Sequence, residues 1–354
     1  MDISLFDYYL PKELIAQEPI EPRDHSRLLV LKRQNNKIEH RQFFEITDYL
    51  SSNDVLVFND TKVVPSRLWG KKIPSGGKIE ILLIRPKDFN IFDFYHWPKE
   101  WLIIGKPDLK QGQKIEFSSR LNAEITKIIN YERVIKFNLE GKDLKTEIVE
   151  LGLMPLPPYI EHPPEESFKK YQTIYAKKEG AIAAPTAGFH FTEALLEKIK
   201  QLGVEMEFVT LHVGLGTFLP VKEKEIEKHP MHSEYFILTK EVAHRLNQAK
   251  IKDKRIIGVG TTVTRVLENC VQKDGILQSK SDWTKLFIYP GYNFKFIDAL
   301  ITNFHLPKST LLMLVCAFAD RPVCAGRDSI LKAYQEAIDK KYRFFSFGDA
   351  MFII

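Results

Sequence analysis

The sequence predicts a layered α/β domain interrupted by a small all-β barrel, and three observations predict it. After the proline-rich passage MPLPPYIEHPPEE at 154–166, runs of helical and strand period alternate through residue 319. Between residues 65 and 157 only short β-patterned runs occur, separated by Gly, Pro, Asn and Lys turns, with no convincing helix. The first 64 residues hold a buried-type strand yet could scarcely fold alone, so they belong with the later domain. The expected division is a discontinuous α/β domain of residues 1–64 plus 158–354, with residues 65–157 as the inserted barrel.

In chain order, a short helix is expected near Pro11 to Ala16, a strand at Arg27 to Lys32 and a buried strand at Asp54 to Phe58. The barrel runs are RLWGKKI, KIEILLIR, EWLIIGK, KIEF, NAEITKII and RVIKFNL. The prolines of 154–166 interrupt both strand and helix and read as an extended linker. Thr192 caps a helix that runs to Leu202 and stops at Gly203, and VEMEFVTLHV follows as a strand. A helix at 240–250, a strand at 255–260, a helix at 262–270, strands at 286–290 and 299–304, and a helix at 309–319 complete the pattern.

Composition narrows the function classes. The chain has 354 residues, 44% of them hydrophobic and 27% charged, as in an ordinary globular enzyme. Its net charge of +5 permits a polyanionic partner without requiring one. Cys270, Cys316 and Cys324 are odd in number and lack CxxC spacing, which argues against a disulfide framework or a metal–thiolate site and for a reducing cytoplasm. The opening MDISLFDYYLPKEL has neither a basic segment nor an unbroken apolar run, against a signal peptide. The most apolar stretch, LLMLVCAFA, is far shorter than the roughly 20 residues that span a bilayer, so no membrane association is expected.

Four polar, glycine-bearing segments sit where strands meet helices: APTAGFHFT, LHVGLGTF, GVGTTVTR and TNFHLPKST. Ligands gather at such junctions because backbone N–H groups and the helix dipole face outward there. In RIIGVGTTVTRVLEN the glycines permit close backbone approach and Thr262 can satisfy free helix N–H groups, although a tight turn with a threonine cap reads the same way. GVG is not a full dinucleotide fingerprint. His190, His212 and His305 each lie at one of these junctions, and HPMHSEYF adds His229, His232 and Glu234. A lone histidine is usually structural; recurrence at strand ends points instead to proton transfer. The i, i+3 spacing of HPMH around a proline and the absence of HExxH give no metal signature, and neither a GxSxG elbow nor a P-loop is present.

Basic and aromatic residues interleave at PRDHSR, SRLWGKK and KKYRFFSFGD. Each alone reads as a solvated basic face beside core aromatics; the three together point to an RNA partner, with cations for phosphates and rings for unpaired bases.

The stretches LIAQEPIEPRDHSRLL, VFNDTKVVPSRLWGKK, AAPTAGFHFT, TLHVGLGTFLPV, VGTTVTRVLE, PGYNFKFIDALITNFHLPKSTLLMLV and YRFFSFGDAMFI give the chain a close resemblance to the S-adenosylmethionine:tRNA ribosyltransferase-isomerases of queuosine biosynthesis. They keep the family's order to residue 353. Departures are mild: Ala181, Phe189, Val266, Cys316 and Asp320 stand where the family usually has Ser, Leu, Thr, Ser and Gly. The resemblance implies an α/β domain with an inserted barrel and an unusual use of S-adenosylmethionine. Its ribosyl part is transferred to 7-aminomethyl-7-deazaguanine at the wobble position of tRNA, giving epoxyqueuosine and releasing adenine and methionine. S-adenosylmethionine is then a substrate, and neither cofactor nor metal is implied.

That chemistry needs at least two proton carriers, and a base with a pKa near 7 suits removal of a C5′ proton beside the sulfonium. Under the resemblance, His190, His212, His232 and His305 are the candidates, with Asp60 and Glu234 orienting them or holding the ammonium. Thr261, Thr262 and Arg265 are expected at the nucleotide or methionine carboxylate, and Asn303 at a base edge or ribose. Arg23, Arg67, Lys308 and Arg343 are the phosphate candidates for tRNA. A monomer is expected. Two rivals use parts of the same evidence. A methyltransferase would yield S-adenosylhomocysteine, and a noncatalytic RNA-binding module would not need so many histidines at strand ends.

Overall fold

The computed structural model describes residues 1–88, 96–164, 166–214, 216, 221, 223–320 and 326–354. Cys324 and parts of the LHVGLGTF segment, Leu215, Thr217 and Phe218, lie outside the described residues. The first strands are β1 (Arg27–Lys32), β2 (Lys37–Gln42), β3 (Asp54–Asn59) and β4 (Thr61–Val63). The barrel strands follow as β5 (Arg67–Ile73), β6 (Lys78–Pro86), β7 (Glu100–Lys106), β8 (Lys114–Glu116), β9 (Asn122–Ile129) and β10 (Glu132–Phe137). The remaining strands are β11 (Lys178–Ala181), β12 (Glu205–Leu211), β13 (Glu234–Leu238), β14 (Arg255–Val259), β15 (Lys280–Thr284), β16 (Ala299–Asn303) and β17 (Ala350–Ile353).

Nine strands form one sheet in the order β15-β13-β12-β3-β14-β16-β17-β1-β2, and β11 pairs with β4. Its centre is parallel: β12 with β3, β3 with β14 and β14 with β16. β3 and β16 are buried at every position, as expected of central strands covered on both faces. The helices are α1 (Gly141–Leu151), α2 (Ser167–Lys170), α3 (Glu193–Gln201), α4 (Lys240–Ile251), α5 (Thr261–Cys270), α6 (Thr310–Ala319) and α7 (Gly326–Asp339), with α1 belonging to the barrel. Thr192, Thr239 and Ser309 cap α3, α4 and α6 through their side-chain oxygens. The apolar α6 is buried in the core, and no helix among the described residues is long and apolar enough to cross a membrane.

β5 to β10 close into an antiparallel barrel in the order β10-β7-β6-β5-β8-β9. Alternating residues fill it, among them Leu68, Ile79, Ile81, Ile103, Ile115, Ile125 and Ile135. The fold class read from the sequence is the one observed. Where the chain enters and leaves the barrel, Arg67 and Leu153 exchange backbone hydrogen bonds of 3.2 and 2.8 Å.

Several elements differ from expectation. The 65–157 stretch contains a helix after all: α1 presents Leu144 and Ile148, spaced i, i+4, to the barrel core. The strand expected at 286–290 is unpaired, and β15 at 280–284 pairs instead with β13. Near Pro11 there is only a single 3-10 turn, Lys12–Leu14. α7 and β17 had no counterpart in the sequence reading; β17 lies between β16 and β1 and closes the gap in the sheet.

Candidate active site

Because β3, β12, β14 and β16 run parallel, their C-terminal ends lie on one edge of the sheet. That edge receives Asp60 and Thr61 after β3, His212 after β12, Gly260 to Thr262 after β14, and Asn303 to His305 at and after β16. Gly260 precedes α5 at φ +97°, a backbone geometry that favours glycine, and so turns the chain straight from strand to helix.

An inner cavity of about 70 Å³ is lined by Thr186, Thr261, Thr262, Asn303, His305 and Ser346, with apolar walls from Ala183, Val213 and Phe345. All four polar segments therefore meet here, LHVGLGTF through Val213, together with the FFSF part of the C-terminal motif. Asn303 accepts from Thr186 Oγ1 at 3.0 Å, while its amide nitrogen donates to Phe345 O and to His190 Nε2, each at 3.2 Å. With Nε2 accepting, the neutral His190 ring carries its proton on Nδ1 and donates it to Ser26 Oγ at 2.6 Å. Burial, reinforced by Arg23 and Arg343, pushes the His190 pKa down to about 3. Both ring nitrogens are engaged, and His190 reaches the cavity through Asn303. His305 lines the cavity directly; its Nε2 lies 2.8 Å from Thr302 Oγ1, and burial takes its pKa to about 3.

Val213 also borders a larger outer cavity of about 880 Å³ between the barrel and the sheet. His212 and His232 both line it. His212 Nδ1 is 2.7 Å from Thr61 Oγ1, and its pKa falls to about 3, first through burial and then through Lys178. Gly180 seats the ring: a Cβ there would stand 2.7 Å from His212 Cε1 and Nδ1. His232 packs on Gly216 in the same way, and the Tyr131 hydroxyl of the barrel lies 3.5 Å from its Nδ1. Asp60 lines neither cavity. It accepts from Thr210 Oγ1 at 2.6 Å, and its carbonyl receives the backbone N–H groups of Lys177 and Lys178.

Glu234 and Arg265 are a buried ion pair, Oε2 to Nη1. Glu234 Oε1 also accepts from Gly214 N at 2.9 Å, tying the LHVG segment to α5. Arg265 Nε donates to Leu286 O at 3.1 Å, whereas its buried Nη2 has no hydrogen-bond partner among the described residues. The pair borders a small third cavity with His232, Leu286 and Leu314, joined to the outer one through Gly216 and Met231. Among the described residues no group of three or more His, Cys, Asp or Glu is placed to hold a metal ion.

The four phosphate candidates do not stand free. Arg23 donates to the carbonyls of Lys169, Lys170 and Gln172 at the end of α2, and Arg343 donates to Glu18 O. Arg67 pairs with Glu80 at 2.5 Å and Lys308 with Asp7 at 2.6 Å. The outer cavity instead gathers Arg85, Tyr131, Tyr235, Trp283 and Lys285, none of which the sequence reading selected. Trp283 had a signal only as a lone tryptophan in KSDW; its placement depends on the β13–β15 register, which local pattern does not encode.

The queuosine biosynthesis protein family model matches residues 3–353. The chain is similar over its whole length, and over all of theirs, to curated proteins called S-adenosylmethionine:tRNA ribosyltransferase-isomerase. Identity is 51% to that of Thermoanaerobacter sp. (strain X514), 50% to that of Sulfurihydrogenibium sp. and 49% to that of Halothermothrix orenii. It is also similar to the crystal structure of S-adenosylmethionine tRNA ribosyltransferase from Thermotoga maritima. There the identity is 38% and the TM-score 0.54, over 99% of this chain and 100% of that one.

Proposed function

The chain belongs to the queuosine biosynthesis protein family and is a ribosyltransferase-isomerase acting on S-adenosylmethionine and tRNA; from that premise we propose its reaction in detail. The ribosyl moiety of S-adenosylmethionine is transferred and isomerised onto 7-aminomethyl-7-deazaguanine at the tRNA wobble position. Epoxyqueuosine forms, and adenine and methionine leave. The reading takes residues 1–64 and 158–354 as the chemical unit and 65–157 as the inserted barrel, and it calls on no cofactor or metal.

One observation carries the reading: four parallel strand ends deliver polar motif segments to adjoining cavities, with His212 beside Val213, the residue that borders both. The inner cavity suits the nucleoside of the donor, with Thr261, Thr262 and Asn303 as its polar contacts. The donor's methionine carboxylate would take Nη2 of Arg265, which has no partner among the described residues and whose charge Glu234 already balances. The wobble base enters through the outer cavity, splayed from its loop.

The buried histidines are neutral at pH 7, and this matters beside a sulfonium. An imidazolium would repel the cation, whereas a neutral ring accepts a proton from the C5′ carbon that the sulfonium acidifies. Loss of adenine needs a proton delivered to the leaving base, and the aminomethyl nitrogen must lose one before it attacks the ribose. His212 and His232 line the cavity where those transfers occur, while His305 faces the donor and His190 orients Asn303. A pKa of about 3 is lower than the near-neutral base expected from the sequence, because burial outweighs every favourable contact the rings make.

Incubation with S-adenosylmethionine and tRNA bearing the deazaguanine tests the reading. Adenine and methionine in equal amounts are expected. S-adenosylhomocysteine would make the protein a methyltransferase, and no product from either route would leave only RNA binding.

A further inference from the structure

Among the groups that the barrel contributes to the outer cavity, Arg85 holds a position that the reaction above does not use. The Arg85 guanidinium of β6 stands 5.3 Å from the ring centroid of Trp283 on β15, so a cation from the barrel covers an aromatic face of the sheet edge. Among the described residues Arg85 is held loosely there, donating at 3.2 Å only to the nearby carbonyls of Pro86 and Lys87. Burial lowers its pKa, which marks a charge drawn partly out of water. Trp283 packs edge-on against Tyr235 at 5.5 Å, and Tyr235 lies parallel to His212 at 6.4 Å. Trp283 is thus one ring beyond Tyr235 in a ladder that ends on the proposed reaction centre. Lys285 and Glu132 line the same cavity.

We propose that Trp283 is a stacking platform for the unpaired nucleotide next to the wobble base, and that Arg85 is its placeholder. When RNA enters, a base replaces the guanidinium on the indole face, and Arg85 turns to that nucleotide's phosphate. The chemistry favours this occupant. A half-buried indole offers a π-face to any base, Arg85 and Lys285 supply positive charge for the backbone, and Glu132 accepts from an exocyclic amino group. Only a splayed single strand presents a reacting base and its neighbour to the two ends of one ladder. The proposal rests on the reading that the wobble base reacts near His212, and it gives the barrel a role in RNA recognition.

The test uses the full-length protein and an anticodon stem-loop RNA lacking the deazaguanine, so that binding is measured apart from turnover. Intrinsic fluorescence of the wild type should fall on RNA addition. In Trp283→Phe, which keeps Trp69, Trp97 and Trp101, most of that change should vanish. Trp283→Ala should bind the RNA about 5- to 150-fold more weakly, the range expected for one lost base stack. Arg85→Gln should reduce the salt slope of binding by about one charge. Binding of S-adenosylmethionine without RNA reports whether each variant is folded. Unaltered RNA affinity in Trp283→Ala with unchanged wild-type fluorescence overturns the platform even if adenine is released. Conversely, Trp283-dependent RNA binding without adenine release supports the platform while the reaction reading fails.

Discussion

The amide nitrogen of Asn303 donates to Nε2 of His190 at 3.2 Å, which makes the histidine the support of a cavity-lining side chain. His190→Ala would leave Asn303 and Ser26 with unmet hydrogen bonds in a buried site, at a cost of about 2–4 kcal/mol including the void. The expected signature is a raised KM for S-adenosylmethionine and a lower melting temperature. His190→Gln, which can contact both partners, should restore part of each. An intact KM in a stable His190→Ala protein would remove the support role.

His212 is expected to behave differently, because it lines the outer cavity where the reaction is proposed, with its Nδ1 2.7 Å from Thr61 Oγ1. His212→Ala should lower kcat by about 10²- to 10⁴-fold, the usual reach of a proton carrier. Gly180→Ala reaches the same ring from outside, since a Cβ would meet it at 2.7 Å and the φ of +148° is strained for alanine. A displaced ring should cost about 100-fold in kcat/KM. Turnover of both variants, compared at matched stability, checks the pair.

Stability should fall on acidification. His190, His212 and His305 have folded pKa values of about 3, set first by burial, against about 6.5 in the unfolded chain. Below pH 6.5 the unfolded chain takes up protons that the folded chain refuses. Stability is therefore complete above that pH and is lost as pH falls toward 3, at up to about 1.4 kcal/mol per pH unit for each ring. Urea midpoints at pH 7 and 5 should separate wild type from His305→Gln, whose loss should be smaller by roughly 2 kcal/mol. Equal losses would mean that His305 titrates normally.

The strand-end motifs were legible because strand period, glycine turns and threonine caps are local, and the parallel centre of the sheet then brings their ends together. Long-range pairing was not. KSDWT has the polar look of a loop, yet it forms β15 because β13 offers an edge, while the more β-like LFIYP stays unpaired and buries Ile288. The burial of His212 against Gly180 and the engagement of Arg23 with α2 carbonyls also depend on distant chain. Residue type alone suggested a proton carrier and a phosphate ligand, and tertiary packing decided what each could reach. α1 is the opposite case: Leu144 and Ile148 carry the helical spacing, but the surrounding β pattern masked it.

Glu234 and Arg265 supply the last prediction. Both side chains are buried, so neither charge can fall back on water when its partner is removed. Glu234→Ala should therefore destabilise the protein by about 3–5 kcal/mol, well beyond the worth of a surface pair. Glu234→Gln still accepts from Gly214 N but leaves the guanidinium uncompensated, so it too should lose stability. In Glu234→Gln/Arg265→Met the stranded charge is gone, and much of the stability should return, since an apolar replacement often matches a buried pair. Activity should not return with it, because the Nη2 group proposed to meet the methionine carboxylate is lost. Chemical denaturation of the four proteins, paired with S-adenosylmethionine affinity, separates the two contributions. A double variant as stable as the wild type that still bound the donor normally would confine Arg265 to the fold.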